Sequence, residues 1–259
     1  MNLGIAGRRA LVCAASKGLG RACAEALAAE GVNLVINARG VELLQHVAQD
    51  IRDRHGVQVQ AVAADITCES GRTAVLQQAG DVDILVTNAG GPPPGNWRDW
   101  TRDDFVAAMD ANALTPIALM TELVPKMVER RWGRVVNITS VAVKSPIAVL
   151  GLSNTARTAL TGYVAGVARD VAAHGVVINN LLPGLHATDR TVALDGMEAG
   201  LTGESIEVVR ARRMDAIPSK RYGTAEEFGH TCAFMCSIHA AFMVGQNVLL
   251  DGGAFVSTL

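Results

Sequence analysis

The sequence lacks the features that mark several specialised classes of protein. It has 23 Lys and Arg against 25 Asp and Glu, a formal net charge of −2. This balance gives no reason to expect a nucleic acid or an anionic membrane as a partner. No uninterrupted apolar run reaches about 18 residues, and the first residues have no signal-peptide pattern. We therefore expect neither a membrane span nor secretion.

Cysteines are few and show no pairing pattern. There are five, an odd number that fits a reducing compartment, so we expect a cytoplasmic protein. Cys232 and Cys236 are four residues apart and could share a helix face. Because no histidine cluster accompanies them, we expect buried thiols there and no metal site anywhere.

Instead, the chain alternates strand and helix patterns. Seven nearly continuous apolar, β-branched runs predict strands that are buried on both faces: residues 9–15, 32–38, 57–64, 82–89, 133–140, 176–183 and 246–252. Helical patterns lie between them: a first helix that ends at Gly31, and others near 41–54, 103–130, 153–174 and 224–237. We expect one α/β domain over residues 1–259, a Rossmann-like doubly wound parallel sheet with helices on both faces. The long irregular stretch at 184–220 is expected to be a substrate lid.

The first strand leads into two glycines, Gly18 and Gly20, that open the first helix. Glycines there let the backbone approach a pyrophosphate, and the helix N-terminus supplies free N–H groups; the alternative is a simple tight turn. After the second strand, where NAD-binding chains usually have an acid, stand Ala38 and Arg39. Arg39 and Lys17 favour NADP(H), unless Arg39 is only a solvated surface charge.

These and other motifs, over nearly the whole chain, resemble the short-chain dehydrogenase/reductase family, and most nearly its 3-oxoacyl-acyl-carrier-protein reductases. "ASKGLG" resembles the family's glycine motif, "ADIT" its adenine segment, "TNAG" its strand-four motif and "PGLHATD" its nicotinamide loop. "GQNVLLDGG" resembles the C-terminal segment that often supports homotetramers. The resemblance implies an NADP(H)-dependent oxidoreductase acting on a small carbonyl, hydroxy or oxoacyl compound. The cofactor-binding residues that it implies are Ser16, Lys17, Gly18, Leu19, Gly20, Arg39, Asp65, Ile66, Asn88, Ala89, Gly90, Arg157, Pro183, Gly184 and Thr188.

The same resemblance implies that Ser140 holds the substrate carbonyl and that Asn112 organises a proton-relay water. It fails at the remaining catalytic positions. The family has a tyrosine 13 residues after the serine and a lysine four residues later, where this chain has Ser153 and Arg157. The chain has only two tyrosines, and neither is followed by lysine at that spacing. The Tyr-x-x-x-Lys pair is therefore absent.

Ser153 and Arg157 lie on one face of a predicted helix. Arg157 can hold a ribose and a fixed positive charge but cannot shed a proton, and Ser153 is a weaker acid than tyrosine. We expect weak ketone reduction unless another group supplies the proton. The candidates are Lys144, if it is buried near Arg157, and His186. The alternatives are a solvated loop lysine and a loop histidine without chemistry.

Three further features carry expectations. Ala14 replaces the family's first glycine; its added methyl group can fit if the local φ is negative, and we expect a moderate perturbation without loss of cofactor binding. Trp97 and Trp100 follow three prolines and pack either on a substrate or on the protein body. The arginines of a predicted helix at 205–215 either attract an acidic substrate or, as we favour, lie on a solvated face.

Three functions remain open at this point. The cofactor motifs, Asn112 and Ser140 favour an NADP(H)-dependent oxidoreductase with an altered relay. The missing Tyr/Lys pair also allows a non-redox lyase or dehydratase on the same scaffold, or a non-catalytic NADP-binding subunit. No feature of the sequence names the substrate.

Overall fold

Seven parallel strands form the centre of the computed structural model, which describes residues 1–257. The strands are β1 (Arg9–Val12), β2 (Asn33–Ala38), β3 (Val59–Ala63), β4 (Ile84–Thr87), β5 (Gly133–Ile138), β6 (Val176–Pro183) and β7 (Asn247–Leu250). They are arranged in the order β3-β2-β1-β4-β5-β6-β7, and each neighbouring pair is parallel. Each strand lies within its predicted range, so the predicted Rossmann-like sheet is confirmed.

Helices cover both faces of this sheet. One face of the sheet carries α1 (Gly18–Ala29), α2 (Val41–His55) and α9 (Ala225–Met235). The other face carries α3 (Glu69–Ala79), α5 (Thr115–Glu129) and α6 (Gly151–Ala172). The remaining helices are α4 (Arg102–Met109), α7 (Asp189–Thr202) and α8 (Ile206–Ala216). Strand side chains alternate between the two cores: Val12 of β1 packs with α1 and α9, whereas Leu11 packs on the opposite face. Within the described chain, no helix has the length and hydropathy needed to span a bilayer.

The helix predicted over residues 103–130 is not continuous. A π-helical turn, Asp110–Leu114, separates α4 from α5, and Thr115 N–H bonds Asp110 O. Pro116, in the first turn of α5, explains the break. Proline has no N–H to donate to the carbonyl four residues earlier, that of Asn112, and its ring crowds that carbonyl. The turn widens at Asn112 as a result.

Two helices were not predicted, α7 and α3. The stretch 184–220, expected to be irregular, is mostly α7 and α8, of which α8 corresponds to the helix predicted at 205–215. Ion pairs join these helices, including Arg213 to Asp195 at 2.7 Å. The sequence pattern also does not predict α3, because only three of its residues, spaced by four, are buried: Gly71, Val75 and Ala79. A Cβ at Gly71 would lie 1.9 Å from Asp65 O, so glycine allows this helix to pack on the preceding loop.

Ala14 does not have the negative φ at which its methyl group would fit without strain. Its φ is +49°, in the left-handed region. A Cβ in this region is crowded by the following carbonyl, which costs about 1–2 kcal/mol for a residue other than glycine. The β1–α1 turn therefore keeps the shape that a glycine would give it, and the alanine is strained.

The strain at Ala14 predicts that Ala14→Gly stabilises the fold. Relief of about 1–2 kcal/mol outweighs the extra backbone entropy of glycine, about 0.5–1 kcal/mol. We expect the free energy of unfolding in urea to rise by up to about 1 kcal/mol. Ala15→Gly is the matched control: Ala15 is fully buried and its φ is not positive, so that variant should be destabilised. Equal destabilisation of both variants would contradict strain at Ala14.

Candidate active site

Four loops meet at the carboxyl edge of the sheet. They follow β1, β4, β5 and β6, and the strand order changes direction between β1 and β4. In open α/β sheets, ligands bind outside the carboxyl ends of the strands at such a switch point. All of the catalytic residues suggested by the sequence lie in or next to these loops, except Asn112, which lies in the turn between α4 and α5.

The β1–α1 loop is shaped by two glycines. Gly18 has φ +58°, and a Cβ at Gly20 would lie 2.3 Å from Ala14 O and 2.9 Å from Asn88 Nδ2. Side chains are thus excluded where α1 approaches the end of β4. Within residues 1–257, the backbone N–H groups of Gly18, Leu19 and Gly20 make no hydrogen bond. They are free donors at a helix N-terminus, the arrangement that binds a phosphate.

Two exposed cations stand beside this loop. Lys17 precedes α1 and Arg39 follows β2, and neither forms an ion pair with another described residue. Asp65 lies in the turn after β3, where Thr67 donates to its Oδ1 from both N and Oγ1, at 3.0 and 2.7 Å. These bonds, with a smaller contribution from Arg39, lower the pKa of Asp65. Ile66 is buried and its carbonyl accepts from Thr115 Oγ1.

The loops after β4 and β6 face the glycine loop. A Cβ at Gly90, two residues after Asn88, would meet no atom within 4 Å, so open space lies there. Pro183 ends β6, and Gly184 lies so close to Asp251 that a Cβ would be 2.6 Å from its Cβ. Thr188 approaches Gly18, with 3.8 Å between its Cγ2 and a Cβ built there. The free N–H groups, the open space and the two cations fit a dinucleotide along this edge. Of the remaining residues implied by resemblance, Ser16 lies in the glycine loop and Ala89 in the loop after β4.

The side chains of Ser140 and Asn112 are each held by one hydrogen bond. Ser140 follows β5, is half-buried, and its Oγ accepts from Ala142 N–H at 3.1 Å. Asn112 is buried in the π-helical turn, and its Nδ2 donates to Ala108 O at 3.3 Å. Its Oδ1 is buried and has no hydrogen-bond partner among the described residues. Interruptions of this kind in a helix occur frequently at functional sites.

Ser153 and Arg157 lie one turn apart on α6, and both are buried. Arg157 Nε donates to Ser153 Oγ at 3.2 Å, and Nη1 donates to Ile138 O, at the end of β5, at 2.7 Å. Burial, and next the positive charge of Arg190, lower the pKa of Arg157 to about 10. The guanidinium therefore stays charged at neutral pH. The Nη1 bond ties α6 to the strand that leads to Ser140, and the Nε bond joins two neighbouring turns of α6.

The two candidate proton donors differ in their exposure to solvent. Lys144 is exposed, and its Nζ lies 5.5 Å from the centroid of the Phe255 ring, so the condition of burial near Arg157 is not met and the alternative of a solvated loop lysine holds. His186 is buried: it is 3% exposed and packs edge-on to Phe228. His186 Nδ1–H donates to Gly184 O at 3.2 Å, and Nε2 has no partner among residues 1–257. Burial lowers the pKa of His186, which favours the neutral ring.

The contacts of the two tryptophans and of the α8 arginines decide between the alternatives that the sequence left open for them. Trp100 packs on the protein body, against Gly151, Gly95 and edge-on to Phe105. Trp97 is 68% exposed, with Arg98 over its ring. The α8 arginines form ion pairs with acids of α7 and the loop after it, so they are neither free for a substrate nor simply solvated; these are Arg210, Arg212 and Arg213.

Arg190 is a site residue that the sequence did not indicate. It lies in the first turn of α7, and its Nη2 donates to Pro92 O at 2.8 Å, across to the loop after β4. After burial, the positive charge of Arg190 is the second cause of the lowered pKa of Arg157. No motif or spacing marks Arg190 in the sequence, because its role depends on how two distant loops meet.

The fold and sequence are similar to those of known reductases. The family model for short chain dehydrogenase matches residues 8–199. The chain is 27% identical to a 3-oxoacyl-[acyl-carrier-protein] reductase of Aquifex aeolicus, over 98% of this chain and 100% of that protein. It is 30% identical to the NADPH-dependent reductase BacG of Bacillus subtilis, over 96% of this chain and 98% of that protein. The solved structure of L-sorbose reductase from Gluconobacter frateurii, complexed with NADPH and L-sorbose, matches with a TM-score of 0.94 at 27% identity. The match covers 99% of this chain and 100% of that chain.

Buried His186 predicts a specific acid sensitivity. Because its pKa in the fold is lowered, protonation favours the unfolded chain, so stability should be constant above the unfolded pKa of about 6.5 and fall below it. We expect the thermal midpoint to drop more between pH 7.5 and 5.5 in the native protein than in His186→Asn. His230→Asn, at an exposed position of α9, is the control and should keep the native pH dependence. An identical drop in His186→Asn and the native protein would show that another group causes it.

Proposed function

The chain belongs to the short-chain dehydrogenase family, and on that premise we propose that it is an NADP(H)-dependent oxidoreductase. It reduces the carbonyl group of a small oxo or oxoacyl compound, with Ser153 and Arg157 in place of the family's tyrosine and lysine. The observation that carries this proposal is the hydrogen bonding of Ser140 and Ser153. Each hydroxyl already accepts an N–H, so each keeps its own O–H free to donate.

Two free O–H donors at the carboxyl edge suit a carbonyl oxygen. Ser140 Oγ accepts from Ala142 N–H, and Ser153 Oγ accepts from Arg157 Nε. These bonds orient both hydroxyls and make their protons better donors. As a carbonyl is reduced, negative charge develops on its oxygen, and donors already in place stabilise that charge at little reorganisation cost. The pair therefore forms an oxyanion site.

Arg157 contributes fixed charge rather than a proton. Its guanidinium is held by Ile138 O and Ser153 Oγ, so it supports the developing oxyanion through Ser153. When bound along the carboxyl edge, reduced NADP supplies a hydride to the carbonyl carbon, and the carbonyl oxygen takes up one proton. We assign the delivery of that proton to the Ser153 hydroxyl, which then regains a proton from a water molecule bound at Asn112 Oδ1. Serine is a weak acid, so we expect a rate about 10²–10⁴ below that of a well-placed general acid.

Several observations support NADP(H) as the cofactor. Lys17 and Arg39 are exposed cations without ion-pair partners in the described chain, and no acid follows β2. One relative, BacG, is an NADPH-dependent reductase, and the L-sorbose reductase structure contains NADPH. A 2′-phosphate needs such cations, whereas a ribose 2′-hydroxyl prefers an acid. Asp65 remains our candidate for the adenine contact.

A non-redox reaction is the second candidate, and one observation favours it. Arg157 places a permanent buried charge where the family has a group that can release a proton. Such a charge stabilises an enolate as well as an alkoxide, so a lyase or dehydratase could use the same residues. A protein that binds NADP without catalysis is the third candidate. Formation of a product without net oxidation of NADPH would distinguish the second candidate from reduction.

We also propose a cytoplasmic homotetramer. The edge strand β7 is half-buried along its whole length, and Phe242, just before it, is fully exposed. Exposed apolar side chains beside an open sheet edge favour association with a second copy. All five cysteines are free thiols, which suits a reducing compartment.

The first test of this proposal concerns the cofactor. Arg39→Glu should lower the affinity for NADPH about tenfold or more, the size of a charge-assisted hydrogen bond, and should have much less effect on NADH. Fluorescence titration measures both. Arg102→Gln, at an exposed arginine at the start of α4, is the control and should change neither affinity. Equal loss of both nucleotides in Arg39→Glu would contradict a 2′-phosphate contact.

The second test concerns Ser153. We expect Ser153→Ala to lower kcat of NADPH oxidation about 10²-fold, because one donor to the oxyanion is lost. The double variant Ser153→Tyr/Arg157→Lys should raise kcat at least tenfold above the native chain. Thr158→Ala, at an exposed position of α6, is the control and should retain native activity. The assay uses a panel of ketones, aldehydes and oxoacyl thioesters. Activity only in the double variant would contradict native reduction and favour the non-redox alternative.

A further inference from the structure

The segment that follows β7, residues 251–257, folds back on the carboxyl edge of the sheet. Asp251 comes directly after β7, and its side chain organises a turn. Its Oδ1 accepts from Gly253 N–H at 2.9 Å, and its Oδ2 accepts from Phe255 N–H at 2.7 Å. A carboxylate that accepts backbone N–H groups a few residues further along fixes the course of the chain. We call this segment the tail.

Two neighbouring segments hold the turn in place. Gly184, in the loop after β6, packs so closely on Asp251 that a Cβ built there would lie 2.6 Å from Asp251 Cβ. Gly184 N–H also donates to Leu250 O at 2.9 Å. On another side, Ser219 N–H, shortly after α8, donates to Gly252 O at 3.1 Å. The turn is therefore anchored both to the loop after β6 and to the chain that leaves α8.

Phe255 extends from this turn to the loop that carries Ser140. The residues on either side of Phe255 in the tail are exposed, whereas Phe255 is half-buried. Lys144 Nζ lies 5.5 Å from the centroid of the Phe255 ring, within the range of a cation–π contact. Lys144 ends the short helical turn that follows Ser140, where its N–H donates to Val141 O at 2.9 Å. The ring therefore lies against the same short loop that presents the Ser140 hydroxyl.

The strand order shows which part of the cleft this contact bounds. β6 lies between β7 and β5, and neighbouring strands are about 4.8 Å apart. A contact between Phe255, after β7, and Lys144, after β5, therefore spans the carboxyl end of β6, roughly 10 Å from one outer strand to the other. Lys17 and Arg39, which we assign to the nucleotide, lie at the ends of β1 and β2, in the other half of the sheet. Phe255 thus closes the cleft on its β7 side.

We infer that Phe255 is a specificity-determining residue, a wall that limits the size of the group that a substrate places beside Ser140. Asp251 is a positioning residue, because it acts through Phe255. The inference deepens the proposed reduction and rests on it for the reacting carbonyl. A compact apolar group packs against an aromatic ring, whereas a bulky group needs the space that the ring fills. The substrate class is therefore a small ketone or a short oxoacyl compound, without a bulky group on this side of its carbonyl.

The test compares two neutral ketones of different bulk, 2-pentanone and 4-phenyl-2-butanone. Calorimetric titration into protein saturated with NADP⁺ measures binding without turnover, and NADPH oxidation measures reduction separately. Phe255→Ala removes the ring. We expect this variant to raise the affinity ratio of the bulky to the compact ketone about tenfold or more, because a single methylene in an apolar pocket already changes selection by about 10–200-fold.

Further variants of the tail locate the effect. Phe255→Leu should raise the ratio less than Phe255→Ala, because leucine fills part of the same space. Asp251→Ala removes both acceptors and should also raise the ratio, but it should add nothing further to Phe255→Ala, because both changes act on one ring. A merely structural role of Asp251 would weaken both ketones alike. Val256→Ala, at a neighbouring residue that is 93% exposed, is the matched control and should keep the native ratio.

The outcomes separate this inference from the proposed function. A raised binding ratio in Phe255→Ala, without NADPH oxidation by the native protein or the variant, supports the wall and contradicts the proposed reduction. NADPH oxidation with an unchanged ratio in Phe255→Ala supports reduction and overturns the wall. Failure of both ketones to bind to either protein also overturns it, as does an equal change of the ratio in Val256→Ala. A native ratio in Asp251→Ala, at a native thermal midpoint, contradicts the positioning role of Asp251.

Discussion

The seven strands run in the same direction, so their carboxyl ends lie along one edge of the sheet. This constraint gathers loops that are far apart in the chain: the glycine loop after β1, and the loops after β4, β5 and β6. Parallel strands require crossovers, and the helices of these crossovers begin at that same edge. The free N–H groups of α1 and the first turns of α6 and α7 therefore converge on one cleft.

Within this cleft, Arg157 is the residue on which the local geometry depends. It joins α6 to the end of β5 through Ile138 O and orients Ser153 through Nε. In the proposed site, Arg157 supplies the positive charge of the family's lysine and adds a planar group with more donors. Ser153 supplies a hydroxyl that is a much weaker acid than the family's tyrosine. On this proposal, a chain without a Tyr-x-x-x-Lys pair keeps the electrostatic part of the site together with its cofactor motifs.

Asn112 shows how a local sequence effect can build part of a site. Pro116 prevents a regular helix from forming over Asn112, and in this wider turn Asn112 Oδ1 is buried with no hydrogen-bond partner among residues 1–257. Ala14 shows the opposite case, in which the surroundings impose a conformation on the residue. The close contact of Gly20 with Ala14 O holds the loop in a shape that alanine adopts only with strain. Both features lie where a ligand is expected, which is where local rules are most often broken.

Much of the architecture could be read from the sequence. The strands were recognisable because residues buried on both faces form nearly continuous apolar runs, and this signal is local. The helix α7 was not recognised, because it rests on ion pairs with α8 rather than on a broad apolar stripe. The small buried face of α3 gave an equally weak pattern. For Lys144 and His186 the sequence left alternatives open, since burial of a loop residue depends on what packs against it.

The sequence by itself determined the parallel sheet, the glycine loop and the replacement at positions 153 and 157, since each is a property of residue type and spacing. Only the tertiary structure decided that the Arg157 charge is buried with no ion-pair partner among residues 1–257, that Phe228 packs against His186, and that Arg190 reaches Pro92 O in the loop after β4. The residue type determines which chemical roles a side chain can take. The ionisation of that side chain, its exposure to solvent and its neighbours depend on segments that are distant in the chain. These segments meet only where the sheet brings its loops to one edge.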